Sequence, residues 1–122
     1  MSGSRYLLDT NAIIAILNGN LVLPQLENAD WIGISIISKL EFIAYPNLKT
    51  SDKRLFFEFC HQVEIVDLMN DNDDLIQLTS TLRNRYKLKL PDAIIGASAL
   101  QNNAKLVTKD QVFKKIAELR LI

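Results

Sequence analysis

Short apolar runs alternate with segments of helical periodicity along almost the whole chain. The first run, 5–8, is followed by the polar residues Asp9, Thr10 and Asn11, a pattern typical of a buried strand that ends at a turn. Strands that alternate with helices favour a parallel sheet with helices on both faces. The pattern therefore predicts an α/β fold of three layers. Strands are predicted at 5–8, 31–35, 63–68, 105–108 and 119–122, and helices at 12–17, 21–28, 36–45, 51–62, 71–86, 92–101 and 111–118.

The composition is that of one globular domain over residues 1–122. Of the 122 residues, 48% are hydrophobic and 23% are charged, values close to the averages for such domains. A chain of this length buries about two thirds of its unfolded surface, so its core needs no disulfide or metal. A disordered chain, a collagen-like chain and a disulfide scaffold are excluded.

Neither a membrane span nor a secretion signal is predicted. The densest apolar stretch, 31–37, is shorter than the ~18 residues of a membrane span and contains Gly33 and Ser35. No apolar signal core follows the first four residues. The single cysteine, Cys60, cannot form an internal disulfide, which fits a reducing compartment. We therefore expect a cytoplasmic protein without membrane contact.

Basic and acidic residues balance, with 14 Lys and Arg against 14 Asp and Glu. The net charge therefore provides no general attraction to nucleic acid or to a membrane surface. A nucleic-acid partner would need a local basic patch, or cations bound in an acidic site. Arg83, Arg85, Lys87 and Lys89 form a basic run, which is usually a solvated face but can also contact RNA phosphates.

Four carboxylates occupy positions that surface acids usually avoid. Asp9 ends the first strand, Asp110 follows the fourth, and Glu41 and Asp92 lie within helices. Each has a structural explanation, because Asp9 and Asp110 can cap helices and Asp92 can complement a helix dipole. Asp92 also shares a stripe of small residues with Gly96, which allows another group to approach closely. Together the four favour function, since ligands in such folds bind beyond the carboxyl ends of the strands.

Glu41 is predicted on or beside the apolar face of its helix. Three- and four-residue spacing groups it with Ile37, Leu40 and Ala44. A buried carboxylate must be paired or must bind a ligand, because burying it alone is too costly. The alternative is a glutamate at the edge of this face whose carboxylate reaches solvent.

Four converging carboxylates repel one another unless a cation lies between them. The only histidine, His61, lies on another helix. Ligand sets made of oxygen alone select Mg²⁺ or Mn²⁺ over zinc, and such ions bind phosphate and activate water. The acidic run 71–74 is different: it lacks the glycine and the final glutamate of a calcium loop and is better explained as a helix N-terminus.

Four segments contain the four acids in order, namely 7–11, 34–41, 90–97 and 106–110, the last followed by Phe113. With the sequences LLDTN, ISIISKLE, LPDAIIGA and LVTKD, they resemble the PIN-domain ribonucleases, and most closely the VapC-type toxins of toxin–antitoxin pairs. The resemblance covers essentially the whole chain. It implies a sheet of order 3-2-1-4-5 and an endoribonuclease that depends on Mg²⁺ or Mn²⁺.

The resemblance also implies roles for individual residues. The catalytic cluster is Asp9, Glu41, Asp92 and Asp110, of which Asp9, Asp92 and Asp110 hold the metal, while Glu41 ligates metal or orients water. Supporting groups and candidates for RNA contact complete the implied site. They are Thr10, Asn11 and Thr108 as hydroxyl or amide support, and Lys87, Lys89 and Lys109 toward RNA, the first two of which can equally belong to a solvated loop.

Two protein partners follow from the resemblance: a cognate antitoxin, and a second copy of the chain in a homodimer. The segments 13–26 and 43–59 carry more apolar residues than a small monomer needs, so we expect both contacts there. Two other functions stay open. One is a receiver-like switch, which needs a phosphoacceptor such as Asp67 after the third strand; the other is a PIN-like binding module without catalysis. The four intact acids favour the enzyme.

Overall fold

A computed structural model describes residues 4–122 and contains a parallel sheet of four strands in the order β3-β2-β1-β4. Strand β1 lies in the middle of the sheet, where Leu8 pairs with Ile34 of β2 on one side and with Val107 of β4 on the other. The strands are β1 (Arg5–Leu8), β2 (Trp31–Ser35), β3 (Glu64–Val66) and β4 (Lys105–Val107). The helices are α1 (Thr10–Leu17), α2 (Ile36–Ile43), α3 (Thr50–Cys60), α4 (Asp73–Tyr86) and α5 (Leu90–Gln101), with two 3₁₀ helices at Pro24–Asn28 and Gln111–Lys115.

Helices cover both faces of the sheet, which confirms the three-layer α/β prediction. Successive side chains of a strand point to opposite faces. Leu7 of β1 accordingly packs in a core with residues of α4 and α5, and Leu8 packs in a second core with residues of α1, α2 and α3. Both leucines are fully buried. Burial on both faces explains why β1 is a continuous apolar run rather than an alternating one.

Helix α5 packs closely against its neighbours because its central residues are small. All residues from Ala93 to Ala99 are buried. A Cβ atom added at Gly96 would lie 2.8 Å from Cδ1 of Ile116 and 3.7 Å from Cδ1 of Leu82. The group that approaches the small stripe of this helix is therefore a core side chain of the protein itself.

Several predicted boundaries were wrong. The fifth strand, 119–122, is reduced to a single parallel bridge between Leu106 and Leu121, because the segment meets β4 only at Leu106 while Leu119 turns into the core. The predicted helices 21–28 and 111–118 are 3₁₀ helices of five residues each, a length at which the tighter turn is common. Helix α3 begins at Thr50, one residue before the predicted start, and its N-cap residue Lys49 makes no side-chain capping hydrogen bond.

The prediction that the chain start carries no secretion signal partly concerns residues 1–3, which lie outside the described residues. Between residues 4 and 122, no helix combines the length and the apolar character that crossing a membrane requires.

Candidate active site

The four carboxylates singled out in the sequence line one cavity at the carboxyl edge of the sheet. Asp9 directly follows β1, and Asp110 follows the neighbouring strand β4, so the parallel arrangement brings both to the same edge. Helix α2 contributes Glu41, and the first turn of α5 contributes Asp92. The cavity has a volume of about 410 Å³. The chain thus gathers at one place acids that are up to about a hundred residues apart in sequence.

Asp9 is the most deeply buried of the four, with 4% of its surface exposed. It caps α1, because its Oδ1 accepts a hydrogen bond of 2.9 Å from the backbone N–H of Ala12. Its Oδ2 accepts a hydrogen bond from the hydroxyl of Thr108. Burial raises the pKa of Asp9, the two hydrogen bonds oppose this rise, and the charges of Asp110 and Glu41 add to it. Asp9 is therefore both the cap of α1 and a member of the acidic site.

Thr108 links Asp9 to Asp110. Its hydroxyl donates to Asp9 and accepts a hydrogen bond of 3.0 Å from the backbone N–H of Asp110. The Oδ1 of Asp110 in turn accepts a 3.0 Å hydrogen bond from the backbone N–H of Val112, at the start of the second 3₁₀ helix. The backbone N–H of Asp9 also donates to the carbonyl of Val107, at 3.1 Å. These bonds fix the distance between two of the four acids.

Glu41 is held by Thr10, whose hydroxyl donates a 2.8 Å hydrogen bond to its Oε1. The predicted apolar face of α2 was wrong: Ser38 and Phe42 are the buried residues, and Leu40 is 57% exposed. Glu41 is itself exposed, on the wall of the cavity. The eight residues of α2 are too few for an apolar spacing to identify one face reliably.

Asp92 is partly buried in the first turn of α5. Burial raises its pKa, and the charges of Asp110 and Glu41 raise it further, while Lys89 opposes the rise. Both Asp9 and Asp92 therefore experience the charges of the other acids. The carboxylates are close enough to repel one another in the absence of a cation.

The donor chemistry of the site fits a hard divalent cation, although no closed cage is formed. In the described part of the chain, no group of three His, Cys, Asp or Glu side chains is arranged to hold a metal ion as it stands. Hydrogen bonds to Thr108, Thr10 and backbone amides engage the carboxylate oxygens of Asp9, Glu41 and Asp110. Four carboxylates around one cavity still supply the oxygen ligands that Mg²⁺ and Mn²⁺ prefer.

The other residues predicted for the site differ in whether they line the cavity. Thr10 and Asn11 line the cavity, and Thr108 contacts it through Asp9. The three candidate lysines are exposed and do not belong to the cavity lining, although Lys89 is close enough to influence Asp92. Asp67, the residue required by a receiver-like site, is exposed and does not line the cavity either. The acidic run 71–74 leads into α4, where Asn72 caps Leu75.

Part of the cavity lining was missed in the sequence. It consists of Tyr45 and Pro46, just after the end of α2, and of Ile95 in α5. A signal for it was present, because Tyr45 follows Glu41 by four residues and residues at this spacing share a helix face.

The comparisons with known proteins agree with this arrangement. The family model of the PIN domain matches residues 6–119, and the chain belongs to the PIN domain family. The resemblance found in the sequence is thereby confirmed. No curated protein matched the chain in the corresponding comparison.

Solved structures of toxin–antitoxin complexes have the same fold. VapBC2 from Rickettsia felis, bound to a DNA fragment from its promoter, has 24% identity and a TM-score of 0.79, with 97% of each chain covered. A toxin–antitoxin complex from Klebsiella pneumoniae has 25% identity and a TM-score of 0.71, with 96% of this chain and 95% of that chain covered. VapBC-1 from nontypeable Haemophilus influenzae has 23% identity and a TM-score of 0.73, with 97% and 96% covered. These matches show that the chain shares its fold with proteins of toxin–antitoxin complexes.

Proposed function

We propose that this protein is a metal-dependent endoribonuclease and the toxin of a type II toxin–antitoxin pair. The observation that carries the proposal is the gathering of Asp9, Glu41, Asp92 and Asp110 around one cavity at the carboxyl edge of the sheet. Membership of the PIN domain family, a family of nucleases, supports the same conclusion. The substrate is RNA, and the cofactor is Mg²⁺ or Mn²⁺.

In this proposal Asp9, Asp92 and Asp110 hold the cation, and Glu41 either completes its ligands or orients the attacking water. A bound divalent ion would neutralise phosphate charge and make water a better nucleophile at neutral pH. Burial raises the pKa of Asp9 and of Asp92, and the neighbouring carboxylates raise both pKa values further. A cation bound between the acids would offset these costs of ionisation.

Two threonine hydroxyls position the carboxylates. Thr108 holds one oxygen of Asp9 and the backbone of Asp110, so that both acids keep a fixed separation. Thr10 holds one oxygen of Glu41 at 2.8 Å and leaves the other free for water or metal. The hydroxyls thereby restrict rotation of side chains whose placement determines the rate. Asn11, which lines the same cavity, is available to donate to a phosphate oxygen.

RNA cleavage with matched variants tests the proposal. The purified protein, free of any inhibitor, is expected to cut RNA only when Mg²⁺ or Mn²⁺ is added, and EDTA should stop the reaction. Asp9→Asn should lower the rate by at least ~10³-fold while the fold remains, because the amide keeps the shape and removes the charge. Asp110→Asn should be milder if that acid only completes a second metal's ligands.

The matched control is Asp73→Asn, a change of the same kind at an exposed helix N-terminus outside the cavity. It should keep the wild-type rate. Cleavage that persists in EDTA, or that survives Asp9→Asn unchanged, would contradict the nuclease mechanism. A binding module without catalysis would bind RNA and cut it under none of these conditions, and preferential cleavage of DNA would replace the proposed substrate.

A cognate antitoxin and a second copy of the chain are the proposed protein partners. Complexes of a toxin with its antitoxin among the structural matches support the first. Large apolar side chains on α2 and α3 are exposed at Ile43, Leu55 and Phe57, within the segment where the sequence predicted contacts. A second exposed apolar surface, which the sequence did not predict, contains Ile76 and Leu90.

Light scattering tests these partners. It is measured on the pure protein and on the protein co-expressed with the product of a neighbouring small reading frame. A dimer is expected alone, and a larger complex without nuclease activity is expected with the antitoxin. Leu55→Asp and Ile76→Asp separate the two surfaces, because a charge disrupts only the contact in which its residue is buried. A strict monomer at micromolar concentration would contradict the homodimer.

A further inference from the structure

The cavity lining contains two chemically different sets of residues. The four carboxylates form one set, and Ala44, Tyr45 and Pro46 belong to the other. Two aromatic residues line the cavity, and they differ in accessibility: Phe113 is only 1% exposed, whereas Tyr45 is 50% exposed. Tyr45 is thus an aromatic residue beside the acids that a ligand in the cavity can reach.

The surroundings of Tyr45 favour a fixed position. Its backbone N–H donates a 3.1 Å hydrogen bond to the carbonyl of Phe42 at the end of α2. Pro46 follows directly and restricts the backbone on both sides of the peptide bond. Tyr45 also lines a second, smaller cavity, whose lining contains both apolar residues such as Leu17 and polar residues such as Asn18. The restrained backbone reduces the entropy that Tyr45 would lose when a ligand binds.

Charge alone does not explain how the site would hold the bases of an RNA. The net charge of the chain is zero, and the candidate lysines lie outside the cavity lining. The proposed cation would attract the phosphate, whereas the bases beside it need an attraction that does not depend on charge. Stacking of a base on an aromatic side chain supplies one, and it is the common way in which proteins hold unpaired RNA bases.

We propose that Tyr45 stacks on a nucleobase next to the scissile phosphate and holds that base in the site. This inference rests on the proposed nuclease function and assigns a substrate-positioning residue to it. Tyr45 lies just beyond the end of α2 and lines the same cavity as the four acids. A base that flanks a phosphate bound at the acids can therefore contact its ring.

Steady-state kinetics with base-deleted substrates test the inference. The substrate is a single-stranded RNA of about ten nucleotides that the wild type cuts at one position, made with or without an abasic nucleotide at each flanking position. Tyr45→Ala should raise KM about tenfold with little change in kcat, and Tyr45→Phe should restore most of the affinity. One abasic position should raise KM by a similar factor in the wild type and cause no further rise in Tyr45→Ala.

The control is Met69→Ala, which shortens another apolar side chain, 54% exposed and outside the cavity lining, and should leave KM unchanged. Thermal melting of each variant verifies that the fold is retained. An unchanged KM in Tyr45→Ala, or additive effects of variant and abasic position, would overturn the stacking role and leave the nuclease intact. If the wild type cuts no RNA, the proposed function fails and the inference fails with it.

Discussion

Helix α5 begins in the acidic site and continues through a densely packed part of the core. Its first turn carries Asp92, whose pKa is raised by burial and by neighbouring carboxylates. From Ala93 to Ala99 every residue is buried, and most of them are small. The buried part stabilises the fold through apolar contacts, whereas the first turn places a charge where the folded state disfavours it. One helix thus both supports the fold and carries part of the destabilising site.

Adjacent residues of this helix therefore have opposite effects on the stability of the fold: the buried residues raise it, and the acid of the proposed active site lowers it. Variants in the core should lower stability in any buffer. Variants in the acidic site should alter the response to metal and pH, and removal of a carboxylate there should stabilise the metal-free protein.

Shortening a buried side chain of the central strand β1 is expected to have the largest effect on stability. Leu7→Ala removes a fully buried side chain from the core beneath α4 and α5 and should lower the free energy of unfolding by about 2–5 kcal/mol. Urea denaturation measures the change. A loss below 1 kcal/mol would mean that this core is far less tightly packed than the structure indicates.

Gly96→Ala should have an intermediate effect. The new methyl group would lie 2.8 Å from Cδ1 of Ile116, so that side chain must move, at a cost of about 1–3 kcal/mol. Ile116→Val removes this terminal carbon, and the double variant should therefore lose less stability than the sum of the single variants. Simple additivity would show that the contact is unimportant.

Divalent metal should stabilise the wild type by a smaller amount. At a concentration ten times its Kd, an ion that binds only the folded state adds about 1.4 kcal/mol, or about 5 °C in Tm for a domain of this size. The Asp9→Asn/Asp92→Asn double variant should lose most of this shift, and Asp73→Asn should keep it. No shift of the wild type at millimolar metal would contradict a cation site among the four acids.

The smallest effect concerns pH in the absence of metal. The pKa of Asp9 in the folded protein lies above its ordinary value of 3.8, so the folded state binds this proton more tightly than the unfolded chain. Asp9 therefore costs no stability well below pH 3.8, and its cost grows as the pH rises through the folded pKa. Asp9→Asn should raise Tm at neutral pH in EDTA, and its advantage should disappear in acid. A constant difference across pH would contradict the sign of the shift.

Much of the fold follows from local patterns. The apolar run 5–8 between polar residues predicts β1, and Asp9 is a recognisable cap because its spacing to Ala12 is local. The fifth strand was not predictable in length, since Leu119 could join either a strand or the core, and that choice depends on tertiary contacts. Three of the four acids were found because each occupies an unusual position within its own segment. The fourth, Glu41, was chosen on an apolar face of α2 that the structure contradicts.

The detailed site depends on contacts that sequence spacing cannot supply. Thr108 and Asp9 are ninety-nine residues apart, so their hydrogen bond exists only because β1 and β4 are neighbours. The face of α2 was misjudged because its eight residues allow more than one apolar stripe. Tyr45 was missed since a tyrosine before a proline is an ordinary helix end.

The most direct test of the central claim is the single-turnover rate of RNA cleavage in Mg²⁺ for Asp9→Asn, Asp92→Asn and the double variant. If the carboxylates act as one metal site, either single change removes nearly all of the activity, and the double variant is no slower than the slower single variant. Asp73→Asn, made alongside them, should match the wild type. Losses that multiply in the double variant would mean that Asp9 and Asp92 act independently, and wild-type rates in either single variant would exclude that acid from the active site.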